Sequence, residues 1–385
     1  MTYENIDRGK YFFSWNDSIR HVNKSEWDAL TRNLSTPFLN WDWLLLLEES
    51  GSASADTGWQ PQHLTVYRSG KLAGAAPLFI KTHSKGEFVF DQMLAHLASR
   101  FNLNYYPKLV GMSPFTPIGA YQFLLAADED QIQLIARMQK EIDRFCRTNR
   151  LSGCHYHFVD QNWIGKIKDL GFMTWIHPGY VWKNQGFDSF EDFLSGFRSC
   201  RRKNIRRERK YLSEQGIKIE ALNGDEIKES HLFWMYRYYL QTNQKYFPWG
   251  CKYLTLDFFL GLPPDLKRHI LLFAAYKEGK KQPLGMSMLV FKDGQLFGRY
   301  WGGEEKISFL HFNLCYYSPI EWAIQSRIQN FDPGMGGEHK LHRGFNLVPN
   351  YSIHKKYTPE LQHMLALYLK EVNPYENHTL PNFQT

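Results

Sequence analysis

"HLTVYRSGKLAGAAPLFIKTHSKGEFVFD", residues 63–91, and "LFAAYKEGKKQPLGMSMLVFKDGQLFGRYWG", residues 272–302, share one plan. Both alternate strand-like runs with turns centred on glycine. Tyr67 and Gly70 align with Tyr276 and Gly279 at an offset of 209, and Gly74 aligns with Gly285 after two further residues in the second turn. Each stretch predicts three consecutive antiparallel strands joined by hairpins. The segments downstream of each correspond too. Residues 128–149 place Ile132, Leu134, Ile135, Met138, Ile142 and Phe145 at a helical period, and 309–328 predict a second helix with Pro319 inside it or splitting it. A strand, "GCHYHFV", a short helix, "QNWIGKIKDL", and a strand, "FMTWIHPGYVW", complete the first half; a strand near Asn330, a Gly-rich turn and "VPNYSIHKKY" complete the second. This order, given twice, describes an α+β fold in which mixed sheets are covered by helices. The expected division is a first domain over 1–188, a second over 189–372 and a tail over 373–385.

The totals agree with two domains: 385 residues exceed one ordinary core. With 43% hydrophobic and 16% aromatic residues, disorder is excluded. A net charge of +7 favours anionic partners without choosing among them. Five cysteines without framework spacing point to reduced thiols. The N-terminus has no apolar signal core and no apolar run approaches the length of a membrane span, so the expectation is a cytoplasmic protein with no transmembrane segment. No G-x-S-x-G elbow, phosphate-binding Walker loop or dinucleotide fingerprint occurs. Cys154-His155-x-His157 and His339-x-x-His342 lack the further ligands of a zinc site, and no metal is expected.

Between Arg198 and Lys210 stand eight Lys or Arg residues, opposed only by Glu208. Ser189 with Asp192 reads as a helix cap just upstream. A helix continued from there carries Phe197, Arg201, Ile205, Glu208 and Leu212 on one face, with Arg198, Arg202, Arg206, Arg209 and Lys210 around the others. Charges inside the apolar stripe separate this helix from a plain solvated one. Its exposed arginines are suited to phosphate.

"RKNIRRERK", with "TGWQPQHL", "GAAPLFIK", "GEFVFD" and "YYPKL" upstream and "GRYWG", "FLHFNLCYY", "GGEHKLHRGF" and "VPNYSIH" downstream, resembles a bacterial family of N-acyltransferases related to the FemABX peptidoglycan peptidyltransferases. The likeness runs over about residues 35 to 370. It implies two GNAT-like (acetyltransferase-type) folds in tandem. It also implies a basic helix opening the second domain, an aminoacyl-tRNA donor, and an amine acceptor on a nucleotide-linked cell-wall precursor. Both ligands are polyanionic, which suits Arg201, Arg202 and Arg206. No permanently bound cofactor is expected; aminoacyl-tRNA or acyl-CoA would be a co-substrate.

Acyl transfer to an amine needs a proton acceptor and donors for the developing oxyanion. In "MGGEHKLHRGF", residues 335–345, Lys340 resembles the lysine of the FemABX "FK" motif, which the family uses to stabilise the transferred carbonyl; His339 stands where that motif has Phe. Glu338 and His339 are the available proton acceptors. Gly336 and Gly337 permit close approach to a ligand, and Arg343 adds a cation. The acetyltransferase pyrophosphate loop corresponds to Arg299, Gly302 and Gly303, but Glu304 replaces its last small residue, which disfavours CoA. In the first half, alternation places Glu87 and Asp91 on one strand face as a base and amine-binding pair, with Tyr105, Tyr106 and Lys108 on a ligand-facing loop. The alternatives are an acyl-CoA-dependent N-acetyltransferase acting on another amine and a catalytically silent module that recognises a cell-wall precursor or nucleic acid.

Overall fold

The computed structural model describes residues 11–245 and 252–379. The chain forms two compact units. The first holds residues 11–34, 38–177 and 349–379; the second holds 178–348 with 35–37. The expected linear division is therefore corrected at both ends. Residues 178–188 fold with the second unit. Residues 349–372 return to the first, because the last long strand pairs there through Ile353, His354, Lys355 and Lys356. The expected tail continues a helix to Thr379, and Asn373 anchors it by accepting from the Ile176 amide and donating to the Thr174 carbonyl. Residues 380–385 lie outside the described part.

The first unit runs β1 (Tyr11–Asn16), α1 (Lys24–Thr31), α2 (Trp41–Glu49), β2 (Trp59–Pro61), β3 (His63–Arg68), β4 (Lys71–Ala76), β5 (Phe79–Lys81), α3 (Gln92–Arg100), β6 (Lys108–Gly111), β7 (Leu124–Leu125), α4 (Gln131–Thr148), β8 (Gly153–Tyr156), α5 (Gln161–Ile167) and the start of β9 (Met173–Lys183). The second continues β9, then α6 (Phe190–Ser195), α7 (Ser199–Glu214), β10 (Ile217–Asn223), α8 (Glu229–Lys245), α9 (Leu256–Leu260), α10 (Pro264–Lys267), β11 (Ile270–Lys277), β12 (Gly285–Lys292), β13 (Gln295–Gly303), α11 (Leu310–Phe312), α12 (Ser318–Gln325), β14 (Asn330–Asp332) and β15 (Asn346–Lys356). The end of β15 and α13 (Pro359–Thr379) belong to the first unit.

In the second unit β10, β11, β12 and β13 pair antiparallel in chain order, and β13 pairs parallel with β14 across the helical crossover. In the first, β1, β3 and β4 pair antiparallel, and β6 pairs parallel with β8 across α4. Strand, helices, antiparallel hairpin, then a parallel pair spanned by a helix occurs in both units. The fold is a tandem of GNAT-like α+β domains.

The repeat holds for its first two strands and fails at the third. The hairpins turn at Gly70 (φ 78°) and Gly279 (φ 74°), backbone conformations that glycine adopts without a Cβ clash. Beyond β4, however, Pro77 interrupts the ladder and β5 pairs with β2 and β6 instead. "GEFVFD" is not a strand: it leads into α3, and the strand equivalent to β13 is β6. The expected pair of three-stranded meanders is corrected accordingly. The two predicted helices are present. The Asp130 side chain accepts from the Gln133 amide to begin α4, which buries Leu134, Ile135, Met138 and Ile142. Before Pro319 the chain takes a π-helical turn over Asn313–Tyr317, so proline enters α12 at its first turn, where its missing N–H costs least.

Gly302 lies within β13, opposite Met286, and a Cβ there would sit 2.2 Å from the Tyr238 carbonyl oxygen of α8. Gly302→Ala is expected to lower stability by about 1–3 kcal/mol, because the helix backbone must move to admit the methyl; urea unfolding measures it. Among the described residues no helix is long and apolar enough to cross a membrane.

Candidate active site

In the second unit the cap at Ser189 is as expected, its side chain accepting from the Asp192 amide, but α6 stops at Ser195 and the basic helix α7 begins afresh at Ser199. Phe197 therefore lies outside it. Along α7, Ile205, Glu208 and Leu212 are buried and Arg201 is half-buried. Glu208 is the lone acid of the basic run from Arg198 to Lys210, and the structure gives its reason: its carboxylate receives the Arg343 guanidinium at 3.0 and 3.3 Å and the Tyr317 hydroxyl. The Arg343 Nη1 also donates to the His339 carbonyl at 2.9 Å, and its guanidinium lies 3.4 Å over the Phe312 ring. Arg343, expected to meet ligand, is instead the bolt that fastens α7 to the 338–343 turn. Gly344 completes the fastening. Its φ of 89° needs glycine, and a Cβ there would press within 2.8 Å of Phe193 and 3.0 Å of Phe197.

The turn so held is a 3₁₀ segment, Glu338–Arg343, preceded by Gly334, Gly336 and Gly337 at φ values of 85°, 74° and 87°. Lys340 is buried. Its ammonium donates to the Gly334 carbonyl at 2.7 Å and the Met335 carbonyl at 3.2 Å, which leaves one N–H, and it lies 5.2 Å from the Tyr180 ring centre. Burial pulls its pKa down to about 8, with Asp332 opposing. His339 shares a 2.9 Å hydrogen bond with the Tyr316 hydroxyl through Nε2; burial, then the Arg343 and Lys340 charges, lower its pKa and keep the imidazole neutral. Glu338, Gly336 and Gly337 are exposed. Arg201 approaches the same turn, its charge adding to burial in lowering the His342 imidazole.

Four of the other basic residues are engaged within the chain, Lys210 with Glu214 at 2.8 Å among them. Arg202 donates to the Phe197 carbonyl, Arg206 pairs with Glu191 at 2.7 Å, and Arg209 pairs with Glu321. Arg206 and Glu191 are both exposed, where such a pair contributes little.

The pyrophosphate-loop reading of Arg299 and Gly302 is corrected. Both lie in β13, and the Glu304 amide donates to the Leu284 carbonyl as an extension of the ladder. Gly302 is small because α8 packs on it. Arg299 is half-buried, and its charge opposes the desolvation that raises the Asp332 carboxyl.

The first-unit residues converge elsewhere, on a fully buried ammonium. Lys108 donates to Ser84 at 2.8 Å and to Glu87 and Asp91 at 2.7 Å each. Tyr105 donates to Asp91 at 2.8 Å, Tyr106 shares a 2.7 Å bond with Ser84, and His157 meets Glu87 at 3.2 Å. Burial alone would raise both carboxyls; the Lys108 charge overrides it and holds them below the usual range. Glu87 and Asp91 are thus brought together as expected, but from coil, and Lys108 opens β6 instead of facing ligand from a loop. This centre is a structural ion cluster.

Lys356 sits against it, its Nζ 3.7 Å from the Tyr105 ring centre and without a hydrogen-bond partner among the described residues. Burial, then the Lys108 charge, push its pKa down to about 7 from 10.5. Between those values the unfolded chain binds the extra proton, so this site's contribution to stability falls as pH drops from 10.5 towards 7. Lys356→Met is expected to stabilise the protein by about 1–4 kcal/mol at neutral pH, with the gain shrinking towards pH 10.5; thermal melts across that window measure it.

Glu208, Tyr316 and Tyr317 are the residues of this site that sequence reading did not assign. Glu208 carried a signal, as the single acid on an apolar stripe. The tyrosines carried none beyond their place in "FNLCYY". Among the described residues no three His, Cys, Asp or Glu side chains are placed to hold a metal ion.

The comparisons with known proteins agree with this architecture. The fold is similar to that of FemX, at 12% identity and a TM-score of 0.54, over 89% of this chain and 98% of that one. It is also similar to a conserved protein of unknown function from Bacteroides thetaiotaomicron, at 8% identity and a TM-score of 0.52, over 90% and 100%. No curated protein matches the chain. A family model named FemAB-like and described as peptidoglycan biosynthesis/recognition matches residues 18–385. With that match spanning nearly its whole length, the chain belongs to the FemAB-like family.

Proposed function

We propose that the protein is an N-acyltransferase that moves an aminoacyl group from aminoacyl-tRNA to the amine of a nucleotide-linked cell-wall precursor, at the 336–343 turn. The observation that carries this reading is the Glu208–Arg343 bolt, which holds a cationic helix against the turn bearing Lys340, His339 and Glu338. The remaining N–H of Lys340 is the donor for the ester carbonyl oxygen. The acceptor nitrogen bonds to that carbonyl carbon, the ester C–O bond breaks, and the ribose hydroxyl leaves. The amine proton goes to neutral His339, which Tyr316 orients, or to Glu338, and from there to the departing ribose oxygen. Gly336 and Gly337 leave the approach open, and Arg201 meets phosphate. The family description supports the acceptor class. Occupation of Gly302 by α8 supports tRNA over CoA.

Arg201→Glu is expected to weaken tRNA binding by about 1–3 kcal/mol and to flatten its salt dependence, while Arg206→Glu does so less. Fluorescence anisotropy at several salt concentrations measures both. Equal losses at the two positions would mean a diffuse surface field, without a binding site at the turn.

A further inference from the structure

Helix α3 has an apolar arc wider than its packing uses. At about 100° per residue, Met93, Leu94, Leu97, Ala98 and the capping Phe101 form one contiguous side, with Gln92, His96, Ser99 and Arg100 on the other, and Phe90 lies in the coil just before the helix. Leu94 and Ala98 are buried, whereas Phe90, Met93 and Phe101 are 62%, 67% and 64% exposed, and Leu97 is 36% exposed. On α13, which packs beside α3, Leu367 is exposed as well. Single exposed hydrophobics are ordinary, but three at successive helical spacings, with a fourth just before the helix, mark a surface that something covers.

The charge around this face identifies what. From Lys85 to Asn104 the chain has two carboxylates, Glu87 and Asp91, and both are buried on Lys108. The charged side chains left exposed in that segment are Lys85 and Arg100, and α13 beside it exposes Lys370 with Glu360 and Glu371. A second copy of the chain fits poorly. The four side chains could newly cover only about 400 Å², against about 800 Å² per partner in a stable pair. A twofold contact would also set these cations against their own copies.

We propose that α3 docks the protein on an anionic lipid bilayer. Phe90, Met93, Leu97 and Phe101 enter the headgroup–acyl boundary, and Lys85 and Arg100 meet the headgroup phosphates. This docking does not depend on the transferase reading.

Cosedimentation of the full-length protein with vesicles tests it, using phosphatidylcholine alone or with about one third phosphatidylglycerol. The protein should pellet with the anionic vesicles. Met93→Ser with Phe101→Ser should lower vesicle affinity at least tenfold. The melting temperature should hold, because both side chains already face water; Arg100→Gln alone should give a smaller loss that high salt abolishes. Undiminished binding by the double variant overturns the proposal, as does absence of binding to anionic vesicles. So does a wild-type dimer in sedimentation velocity that the double variant dissociates, since a second copy would then own the face.

Discussion

Lys340→Met is expected to leave the protein folded and able to bind its acceptor while lowering turnover by roughly 10²–10³, or about 3–4 kcal/mol of transition-state stabilisation. The expectation rests on the hydrogen bonds of one ammonium. Two N–H groups are spent on the Gly334 and Met335 carbonyls, which fix its position before any ligand arrives. A donor held in advance needs no reorganisation as charge develops on the carbonyl oxygen. Methionine keeps most of the stem's packing and removes only the donor. The diagnostic pattern is a fall in kcat with KM for the acceptor little changed. If Lys340 served only to brace the turn, KM would rise with it. Glu338→Gln then separates the two proton acceptors: activity should stay near wild type if His339 takes the proton, and fall sharply if Glu338 does.

The largest loss of stability is expected in the other unit, from Lys108→Met. Glu87 and Asp91 would then be buried without their counter-charge, at a cost of about 3–5 kcal/mol. The sign with pH is definite. In the wild type both carboxyls are held below their ordinary values of 4.5 and 3.8, so their contribution is present above those values and lost as pH falls through the folded pKa values. In the variant, burial dominates and raises both, so its deficit should narrow in acid. Denaturant unfolding at neutral pH and near pH 4 measures the two ends. Adding Glu87→Gln and Asp91→Asn to Lys108→Met should recover much of the loss, which a simple packing defect would not allow.

The fold was legible where the information is local. Glycine at the tips of the β3–β4 and β11–β12 hairpins and the apolar period of α4 each specify their element within a few residues. The tandem order follows from them. Alternation misled at "GEFVFD", because a period of two also suits a coil that buries Glu87, Val89 and Asp91 together. The site was half legible. "GGEHKLHRGF" marks itself by composition, but the partner of Arg343 lies 135 residues earlier in the chain, and no spacing rule links the two. Gly302 was misread for the same reason. A glycine needed for close helix packing looks like one that cradles phosphate, and only the Tyr238 carbonyl above it tells them apart.

If the Lys340 turn transfers an aminoacyl group to an amine, a nucleotide-linked cell-wall precursor should grow heavier in its presence. Intact-mass measurement of such a precursor with a free amine, incubated with the protein and an aminoacyl-tRNA, decides it. The expected gain is the mass of one aminoacyl residue, and Lys340→Met should suppress that gain. An acetyl increment from acetyl-CoA, or an unchanged mass from every donor while the precursor remains bound, would refute the assignment.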